Sequence, residues 1–258
     1  EGVINNMVFQ DYSNYYDLLY ANKDYHEECN FIKSIFDKYS KKEINTILDF
    51  GCGTGTHALI FSDMGYTVTG VDLSQRMLQL AIRKAEKQNK QTKFLKGDIR
   101  HLDIQKQFDA IVAMFNVLGY QTTNKDVENT IRTVRHHMNL DGLFICDLWF
   151  GPVVLSEKPT ERVKSIEQGN DRIVRYARPV IDVLRHTVEV NYTISEIRDG
   201  KETIMVKESH LVRFFFYQEL LCFMEKNGFR VLQICPFMDL DGHVDEHCWN
   251  VSVISKAI

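Results

Sequence analysis

The sequence predicts an α/β protein with a doubly wound, mostly parallel sheet and an antiparallel β insertion. From residue 44 to residue 149, short apolar runs alternate with helical patterns, which is typical of a parallel sheet. Two of these runs end in an acid, Asp49 and Asp72. After residue 150 the period changes, and apolar and polar residues alternate as in half-buried antiparallel strands. We therefore divide the chain into a helical lid and core (1–150), the insertion (151–216) and a closing helix with two strands (217–258).

The composition of the chain limits the kinds of molecule that we expect as partners. The 258 residues suffice for one large domain, and their net charge of −4, without a cluster of Lys and Arg, disfavours a nucleic-acid footprint. The six cysteines are scattered and form no C-x-x-C pair, as expected for reduced thiols in a cytoplasmic protein. We see no signal peptide and no apolar run long enough to cross a bilayer. We expect a cytoplasmic protein without nucleic-acid or membrane partners.

The first predicted strand, 44–50, ends in a glycine-rich turn and a helix. Gly51, Gly53 and Gly55 alternate there, and such glycines let the backbone approach a ligand while the helix N–H groups stay free to bind it. Dinucleotide folds use G-x-G-x-x-G instead. The spacing therefore argues against a nicotinamide-dependent reductase.

A second strand, 65–72, ends at Asp72. A carboxylate at the end of an apolar strand is costly unless it has a partner, which favours a functional role for Asp49 and Asp72. An acid at the second position can accept hydrogen bonds from both ribose hydroxyls. Ser74 is a good N-cap for the next helix, whose apolar face includes Met77.

The remaining elements follow the same logic. We predict strands at 93–96, 108–114 and 143–149, with a helix through Val127 and Met138 that is stopped by Asp141-Gly142. In the insertion, strands at 188–194 and 202–216 flank the hairpin signal Asp199-Gly200. A helix at 219–227 and strands at 231–235 and 249–254 complete the sheet. Before the first strand, a helix at 32–39 follows a tyrosine-rich segment that either packs on the sheet edge or forms a lid over a ligand.

Together these motifs resemble the class I S-adenosylmethionine (SAM) dependent methyltransferases. The matching stretches are LDFGCGTG at 48–55, GYTVTGVDLS at 65–74, GDIR at 97–100 and FDAIVAMFNVLGY at 108–120. The tyrosine-rich start is similar to that of sugar-nucleotide N,N-dimethyltransferases, which modify an amino sugar. The resemblance implies a Rossmann-like, seven-stranded sheet, with SAM as cofactor and S-adenosylhomocysteine as product.

The resemblance also implies a set of cofactor-binding residues: Asp49, Gly51, Cys52, Gly53, Thr54, Gly55, Asp72, Leu73, Met77, Asp98, Ile99 and Met114. The glycines would line the methionine portion, with Asp49 near its amino group. Asp72 would hold the ribose, and Leu73 and Met77 would flank the adenine. Asp98 and the backbone of Ile99 would contact the exocyclic amine of the adenine.

Methyl transfer needs alignment of the nucleophile with the methyl carbon and sulfur, and an amine must first lose a proton. Our candidates for the catalytic groups are Tyr12, Tyr16, Tyr120 and His210, with Asp147 as a further base. In the resembling sugar enzymes, an N-terminal tyrosine lies over the cofactor, which Tyr12 or Tyr16 would match. A histidine on a strand can equally be a structural hydrogen-bonding residue.

Two groups of charged residues in the sequence have more than one possible role. Arginines of the insertion could grip a pyrophosphate or lie on solvated strand faces: Arg172, Arg175, Arg178, Arg185 and Arg213. The loop 239–248 holds spaced acids, histidines and Cys248, but it lacks the twelfth-position Glu of a calcium loop, so we expect a polar loop and no metal. His136-His137 is interpreted as a solvated helix end.

We therefore expect a SAM-dependent methyltransferase that acts on a small polar acceptor, the amine of a nucleotide-linked amino sugar. The alternatives are an N- or O-methyltransferase of another metabolite and a non-catalytic SAM-binding module. Trp149, Phe150 and the run 214–216 could serve the core, a pocket or a homodimer contact.

Overall fold

The computed structural model describes residues 8–9, 11–168 and 171–258. Its strands are β1 Thr46–Phe50, β2 Thr67–Asp72, β3 Lys93–Lys96, β4 Phe108–Ala113, β5 Met138–Trp149, β6 Arg162–Gln168, β7 Asp171–Asp182, β8 Thr187–Arg198, β9 Lys201–Arg213, β10 Phe229–Pro236 and β11 Asn250–Ala257. Its helices are α1 Ser13–Leu19, α2 Tyr25–Tyr39, α3 Thr56–Asp63, α4 Gln75–Lys87, α5 Asn124–His136, α6 Gly151–Glu157 and α7 Tyr217–Lys226.

The larger sheet has seven strands in the order β10-β11-β5-β4-β1-β2-β3. Five of them, from β5 to β3, pair in parallel, whereas β11 runs antiparallel to both β5 and β10. The predicted Rossmann-like, mostly parallel seven-stranded sheet is therefore confirmed. The strand order reverses between β1 and β4, and ligands of open α/β sheets bind in the crevice at the carboxyl ends of the strands at such a point.

Helices cover both faces of this sheet. On one face, Ile32 and Ile35 of α2 and Phe61 of α3 are buried in one apolar cluster. On the other face, Ile131 of α5 and Met224 of α7 belong to a second cluster. Because the central strands are buried on both sides, they read in the sequence as continuous apolar runs rather than alternating ones.

Local capping fixes where the site helices begin. The hydroxyl of Ser74 accepts a hydrogen bond from the Met77 N–H at 3.3 Å, which confirms Ser74 as the N-cap of α4. Asp24 caps α2 in the same way, accepting from the Glu27 N–H at 2.8 Å. Both caps set a helix start beside the carboxyl edge of the sheet.

The insertion forms a separate antiparallel sheet in the order β6-β7-β8-β9. It follows helix α6, so the strands of this sheet begin at Arg162 rather than directly after residue 150. Asp199 and Gly200 form the tight turn between β8 and β9, as predicted. One face of the sheet buries Ile194 and Val206 together with Tyr12 and Leu19 of the N-terminal segment.

The prediction for the segment after α5 was wrong. Helix α5 ends at His136, and Met138 begins β5 instead of closing the helix. The stop signal Asp141-Gly142 lies inside β5, where Asp141 has a φ of 67°. Burial decides the outcome, because Met138 is completely buried and packs with the sheet core.

The interpretation of His136-His137 as a solvated helix end holds for His136, which is exposed at the last residue of α5, but is wrong for His137, which is completely buried. Its Nδ1 is 2.8 Å from the Thr133 carbonyl, and its Nε2 accepts from the Ile104 N–H at 3.1 Å. Among the described residues, Asp103, His136 and His137 form a cluster of side chains of the kind that bind metal ions. Both ring nitrogens of His137, however, already have the hydrogen-bond partners named above.

Within the described ranges, none of the helices is both long and apolar enough to cross a membrane.

Candidate active site

One cavity, about 410 Å³ in volume, lies at the carboxyl ends of β1, β2 and β4. Most of the predicted cofactor-binding residues line it: Gly51, Cys52, Gly53, Thr54, Asp72, Leu73, Met77, Asp98, Ile99 and Met114. Asp49 and Gly55 do not form part of its wall. Of the predicted catalytic residues, Tyr16 and Tyr120 line it, whereas Tyr12 and His210 lie behind them.

Two glycines of the turn have different surroundings, although both adopt positive φ. Gly53 has a φ of 54°, and a Cβ added there would meet nothing within 4 Å. Gly55 has a φ of 79°, and a Cβ there would lie 2.7–2.9 Å from Phe94 and Ala81. Gly53 therefore keeps the ligand-facing side of the turn open, while Gly55 lets the turn pack against β3 and α4.

Asp72 ties the glycine turn to the start of α4. Its Oδ2 accepts from the Gly53 N–H at 2.9 Å, and its Oδ1 accepts from the Ser74 N–H at 2.7 Å. Burial raises the pKa of Asp72, although the backbone hydrogen bonds oppose this. Each carboxylate oxygen can accept further hydrogen bonds, so Asp72 can hold two ligand hydroxyls as well.

Asp49 lies beneath the same turn, 2% exposed, and its Oδ2 has no hydrogen-bond partner among the described residues. Burial raises the pKa of Asp49 to about 8, and the charge of Asp72 adds to the effect. One buried and one half-buried acid, whose carboxylates bond no cationic side chain among the described residues, favour a ligand that carries positive charge.

Asp49 gives the ligand-free protein a testable pH dependence. Its pKa is raised in the folded state, so the unfolded chain loses this proton near pH 4 while the folded chain keeps it to about pH 8. Stability is therefore lost as the pH rises between these values. Asp49→Asn has no such proton to lose, so its unfolding free energy should not fall in this way. From pH 5 to pH 8 we expect the difference in unfolding free energy between Asp49→Asn and the wild type to grow, in favour of the variant, by on the order of 2–4 kcal/mol.

Urea denaturation at several pH values measures this difference. The control is Asp199→Asn, an exposed turn residue whose replacement should leave the pH profile unchanged. Parallel profiles for Asp49→Asn and the wild type would contradict the raised pKa.

Asp98 stands at the far wall of the cavity in a fork with Arg100. The Arg100 Nε and Nη2 donate to the Asp98 carboxylate at 2.6–3.1 Å. This guanidinium, more than any other group, lowers the pKa of Asp98. Asp98 is thus ionised and fixed in place, and its predicted contact with the adenine would use the lone pairs that remain.

The N-terminal segment joins the core to the insertion above the cavity. The Phe9 N–H donates to the Glu208 carboxylate of β9, and the Phe9 carbonyl accepts from the Ser74 hydroxyl at 3.1 Å. In α1, Asp17 accepts from the Thr54 hydroxyl of the glycine turn at 2.7 Å. These contacts favour the lid over the alternative of simple edge packing.

Of the predicted catalytic tyrosines, Tyr12 is buried, whereas Tyr16 and Tyr120 are half-buried. Loss of solvation raises the pKa of all three. At neutral pH their hydroxyls stay protonated, so none of them is a base on its own. Tyr12 is further engaged, because its oxygen accepts from Arg175 at 3.1 Å. Tyr120 differs, because its hydroxyl is 2.8 Å from Nδ1 of His210.

Asp147 is not a free base. Its carboxylate accepts from the Phe115 N–H and, at 3.1 Å, from the Asn116 N–H, and it does not line the cavity. Burial raises the pKa of Asp147 to about 6. Phe115 and Asn116 both have positive φ, so Asp147 holds the sharp bend that places Met114 against the cavity.

A buried charged group beside the glycine turn was missed from the sequence. His57 of α3 lines the cavity, and its Nε2 is 2.7 Å from Glu28 of α2, which also binds Lys23 at 2.9 Å. Burial alone would raise the pKa of Glu28, but His57 and Lys23 lower it. Lys23 also stands 3.9 Å from the centre of the Phe115 ring. The group fastens the helical lid to the cavity wall, and no local pattern pairs residues so far apart in the chain.

A second cavity adjoins the first. We call it the basic cavity, because three arginines, Arg100, Arg185 and Arg213, stand in its wall against two acids, Asp126 and Glu219. Arg100, Tyr120, Thr122 and Leu211 belong to the walls of both. Three further basic side chains line the second cavity alone: Arg185, His186 and Arg213. Arg213 is 5% exposed, and its Nε has no partner among the described residues although Nη2 binds Glu219 at 2.9 Å.

The five arginines of the insertion thus separate into three groups. Arg185 and Arg213 face the second cavity, and Arg175 bonds to the hydroxyls of Tyr12 and Tyr20. Arg172 and Arg178 lie on exposed strand faces. The alternative of solvated strand faces therefore applies to Arg172 and Arg178. A contact with pyrophosphate stays a prediction for Arg185 and Arg213, which line a cavity.

Comparison with known proteins places this geometry in context. Residues 47–142 match the family model described as a methyltransferase domain. Over 223 residues the chain is 25% identical to dTDP-3-amino-3,4,6-trideoxy-alpha-D-glucopyranose N,N-dimethyltransferase of Streptomyces venezuelae, covering 86% of this chain and 91% of that protein.

Two solved structures show the same fold. A SAM-dependent methyltransferase from Clostridium acetobutylicum ATCC 824 superposes with a TM-score of 0.81 at 21% identity, covering 95% of this chain and 96% of the other. SAM-bound CalS10, an amino pentose methyltransferase from Micromonospora echinaspora, superposes with a TM-score of 0.76 at 18% identity, covering 98% and 99%.

The residues present fit SAM. SAM carries sulfonium and ammonium charges, which suit Asp72 in the cavity wall and the unpartnered Oδ2 of Asp49, which lies beneath that wall. The open side of Gly53 leaves room for close approach of a ligand to the backbone. Asp72, with acceptor capacity left on both oxygens, matches a vicinal pair of ribose hydroxyls.

Proposed function

We propose that this chain, a SAM-dependent methyltransferase of the class I fold, transfers a methyl group to the amine of a nucleotide-linked amino sugar. One observation carries the proposal. A cavity that fits SAM and a basic cavity meet at Tyr120, so a donor in one and an anionic acceptor in the other would react at their junction.

In the first cavity, the residues would divide the cofactor between them. The backbone of Gly51 and Gly53 would face the methionine portion, and Asp72 would hold the ribose hydroxyls. Leu73, Met77 and Ile99 would pack around the adenine, with Asp98 at its exocyclic amine. All of these residues belong to the cavity wall, which supports the assignment.

The second cavity suits an acceptor with phosphate groups. Arg185 and Arg213 present guanidinium groups there, and these groups pair with phosphate oxygens in a planar, two-pronged geometry. The relative from Streptomyces venezuelae is named for a dTDP-linked amino sugar. A thymidine or other nucleoside diphosphate would thus anchor the acceptor while its sugar amine reaches the junction.

SAM supplies a methyl group on a positively charged sulfur, which makes the methyl carbon electrophilic. The protein's own contribution is positional. Tyr16, Met114 and Tyr120 line the first cavity together with Phe9 of the lid, and Tyr120 also borders the second. Holding the amine in line with the methyl carbon, away from water, contributes on the order of 7–11 kcal/mol to lowering the barrier.

A methyl-transfer assay tests the acceptor class. We expect turnover with dTDP-3-amino sugars, and none with the corresponding 3-hydroxy sugars or with free amino acids. Turnover only with a non-sugar amine or a hydroxyl acceptor would refute the acceptor assignment. Tight SAM binding without turnover on any acceptor would support a non-catalytic SAM-binding module instead.

The basic cavity makes a separate prediction. Arg185 is exposed and pairs with Asp182 at 2.9 Å, so Arg185→Ala should leave the fold intact. We expect its KM for the nucleotide sugar to rise about tenfold, since one charge-assisted hydrogen bond is lost, while kcat and SAM affinity stay unchanged.

The matched control is Arg178→Ala, another exposed arginine in a surface ion pair, with Glu161, but outside the cavity wall. Its kinetics should equal those of the wild type. Equal KM values for all three proteins would show that the acceptor does not use this cavity.

Three statements about partners remain predictions. They are a small-molecule acceptor, the absence of a nucleic-acid partner, and a homodimer contact through Trp149, Phe150 or Phe214–Phe216. Within the described residues, Phe214 and Phe215 are completely buried in the core, which leaves them no part in such a contact.

A further inference from the structure

A chain of three hydrogen-bonding side chains runs from the insertion sheet to the cavity junction. His210 Nδ1 is 2.8 Å from the Tyr120 hydroxyl, and His210 Nε2 is 3.0 Å from Glu208 Oε1. Glu208 and His210 are two residues apart on β9, so both side chains point to the same face of the sheet. The His210 side chain is 3% exposed and that of Glu208 is 12% exposed.

The chemistry of these groups gives the chain a direction. A carboxylate only accepts hydrogen bonds, so Glu208 favours the tautomer of His210 that carries its proton on Nε2. Nδ1 then has a free lone pair and accepts the hydrogen bond from the Tyr120 hydroxyl. The Tyr120 oxygen keeps a further lone pair, and Tyr120 borders both cavities.

We propose that Glu208 is a positioning residue that holds His210 in its Nε2–H tautomer, so that Tyr120 and His210 together take a proton from the acceptor ammonium. The inference rests on the proposed function, because it assumes an amine acceptor. The ammonium proton passes to the Tyr120 oxygen as the Tyr120 proton passes to His210 Nδ1. The freed nitrogen lone pair then forms the N–CH₃ bond, and the electron pair of the broken S–CH₃ bond stays on sulfur.

The surroundings of His210 support this role. Tyr12, the residue before α1, and Tyr192 of β8 flank the imidazole, with ring centres 5.5 and 5.0 Å away, and the Phe9 ring lies edge-on at 4.7 Å. Arg175 of β7 is bonded to Tyr12 and lies over the ring of Tyr192. Among the described residues, the carboxylate that contacts His210 is that of Glu208, so an imidazolium formed there is balanced by this one charge.

The lid reinforces the same carboxylate. Glu208 Oε1 also accepts the Phe9 N–H, which fixes the carboxylate when the N-terminal segment covers the cavity. Loss of solvation keeps the Tyr120 hydroxyl protonated. Tyr120 can therefore accept the ammonium proton only if it donates its own proton to His210. A correctly oriented Nδ1 lone pair is therefore required at each turnover.

The test uses a graded series at one position. Glu208→Met is close in size but cannot fix the tautomer, and we expect kcat to fall about 100-fold with acceptor KM unchanged. It also loses the Phe9 contact, so SAM affinity is titrated separately and should fall far less than kcat. Glu208→Gln still offers an amide oxygen to Nε2–H and should recover part of this loss. The control Glu202→Met changes an exposed glutamate of the same strand and should behave as the wild type.

Nitrogen-15 NMR of the imidazoles supplies a readout that needs no acceptor. In the wild type we expect His210 to show a protonated Nε2 and an unprotonated Nδ1, and in Glu208→Met a mixture of tautomers. A wild-type signal with the proton on Nδ1, or an unchanged kcat in Glu208→Met, would overturn the inference. Failure of the proposed function appears differently, as no turnover of amino sugars by the wild type, with the tautomer result still decided by NMR.

Discussion

Replacing Asp72 by Asn is expected to weaken SAM binding about 100-fold. The carboxylate holds the glycine turn through Gly53 and the start of α4 through Ser74, and it would also accept from the ribose hydroxyls. An amide keeps one acceptor oxygen but turns a donor toward the second site. Hydrogen bonds to charged groups contribute about 1.5–3 kcal/mol, and a hundredfold loss corresponds to about 2.8 kcal/mol. Calorimetric titration with SAM measures the change directly.

The chain contains a matched control at the opposite edge of the sheet. Asp109, near the start of β4, also accepts two backbone N–H groups, from Asn45 and Thr46, each at 3.0 Å. We expect Asp109→Asn to lose a similar amount of unfolding free energy as Asp72→Asn but to keep its SAM affinity. If both variants bound SAM as tightly as the wild type, the assignment of the cofactor to this cavity would fail.

Replacing Gly55 by Ala is expected to lower the unfolding free energy by about 2–5 kcal/mol. The left-handed backbone costs an L-residue about 1–2 kcal/mol, and the new methyl group would press on Phe94 and Ala81, which adds about 1–3 kcal/mol of overpacking. The loss should appear in chemical denaturation without SAM, because the contact belongs to the fold rather than to the ligand.

Gly53→Ala separates binding from folding. The backbone is strained in the same way, but the added methyl group meets open space at the cavity instead of protein. We therefore expect a smaller loss of stability, about 1–2 kcal/mol, together with a larger loss of SAM affinity than in Gly55→Ala measured on folded protein. If Gly55→Ala were as stable as the wild type, the packing role of this glycine would be wrong.

Features set by neighbouring residues were predictable from the sequence. The alternate glycines and the acid that ends β2 mark a ligand turn, because the turn and its cap are local and the strands are apolar throughout. The structure puts ten of the twelve predicted cofactor-binding residues in the wall of one cavity. Gly55 shows the limit of this reasoning. The glycine spacing indicates its backbone conformation, but not that it packs against Phe94 and Ala81 instead of the ligand.

Features set by tertiary contacts were not predictable in this way. Glu28 and His57 are 29 residues apart, and Tyr120 and His210 are 90 apart, so no periodic pattern pairs them. Asp147 looked like a base because it is an acid beside the reaction region, but the bend after β4 uses both of its oxygens. The role of Glu208 was not predicted. Alternation along a strand indicates that Glu208 and His210 share one face of the sheet, but it does not indicate which residues pack against that face.

The most direct test of the central claim is a crystal structure of the protein with S-adenosylhomocysteine and a dTDP-amino sugar. We predict the ribose hydroxyls of the cofactor product within hydrogen-bond distance of Asp72 and the sugar amine beside Tyr120, with the diphosphate at Arg185 and Arg213. A cofactor product bound away from Asp72, or a sugar nucleotide whose amine points away from the junction at Tyr120, would contradict the account.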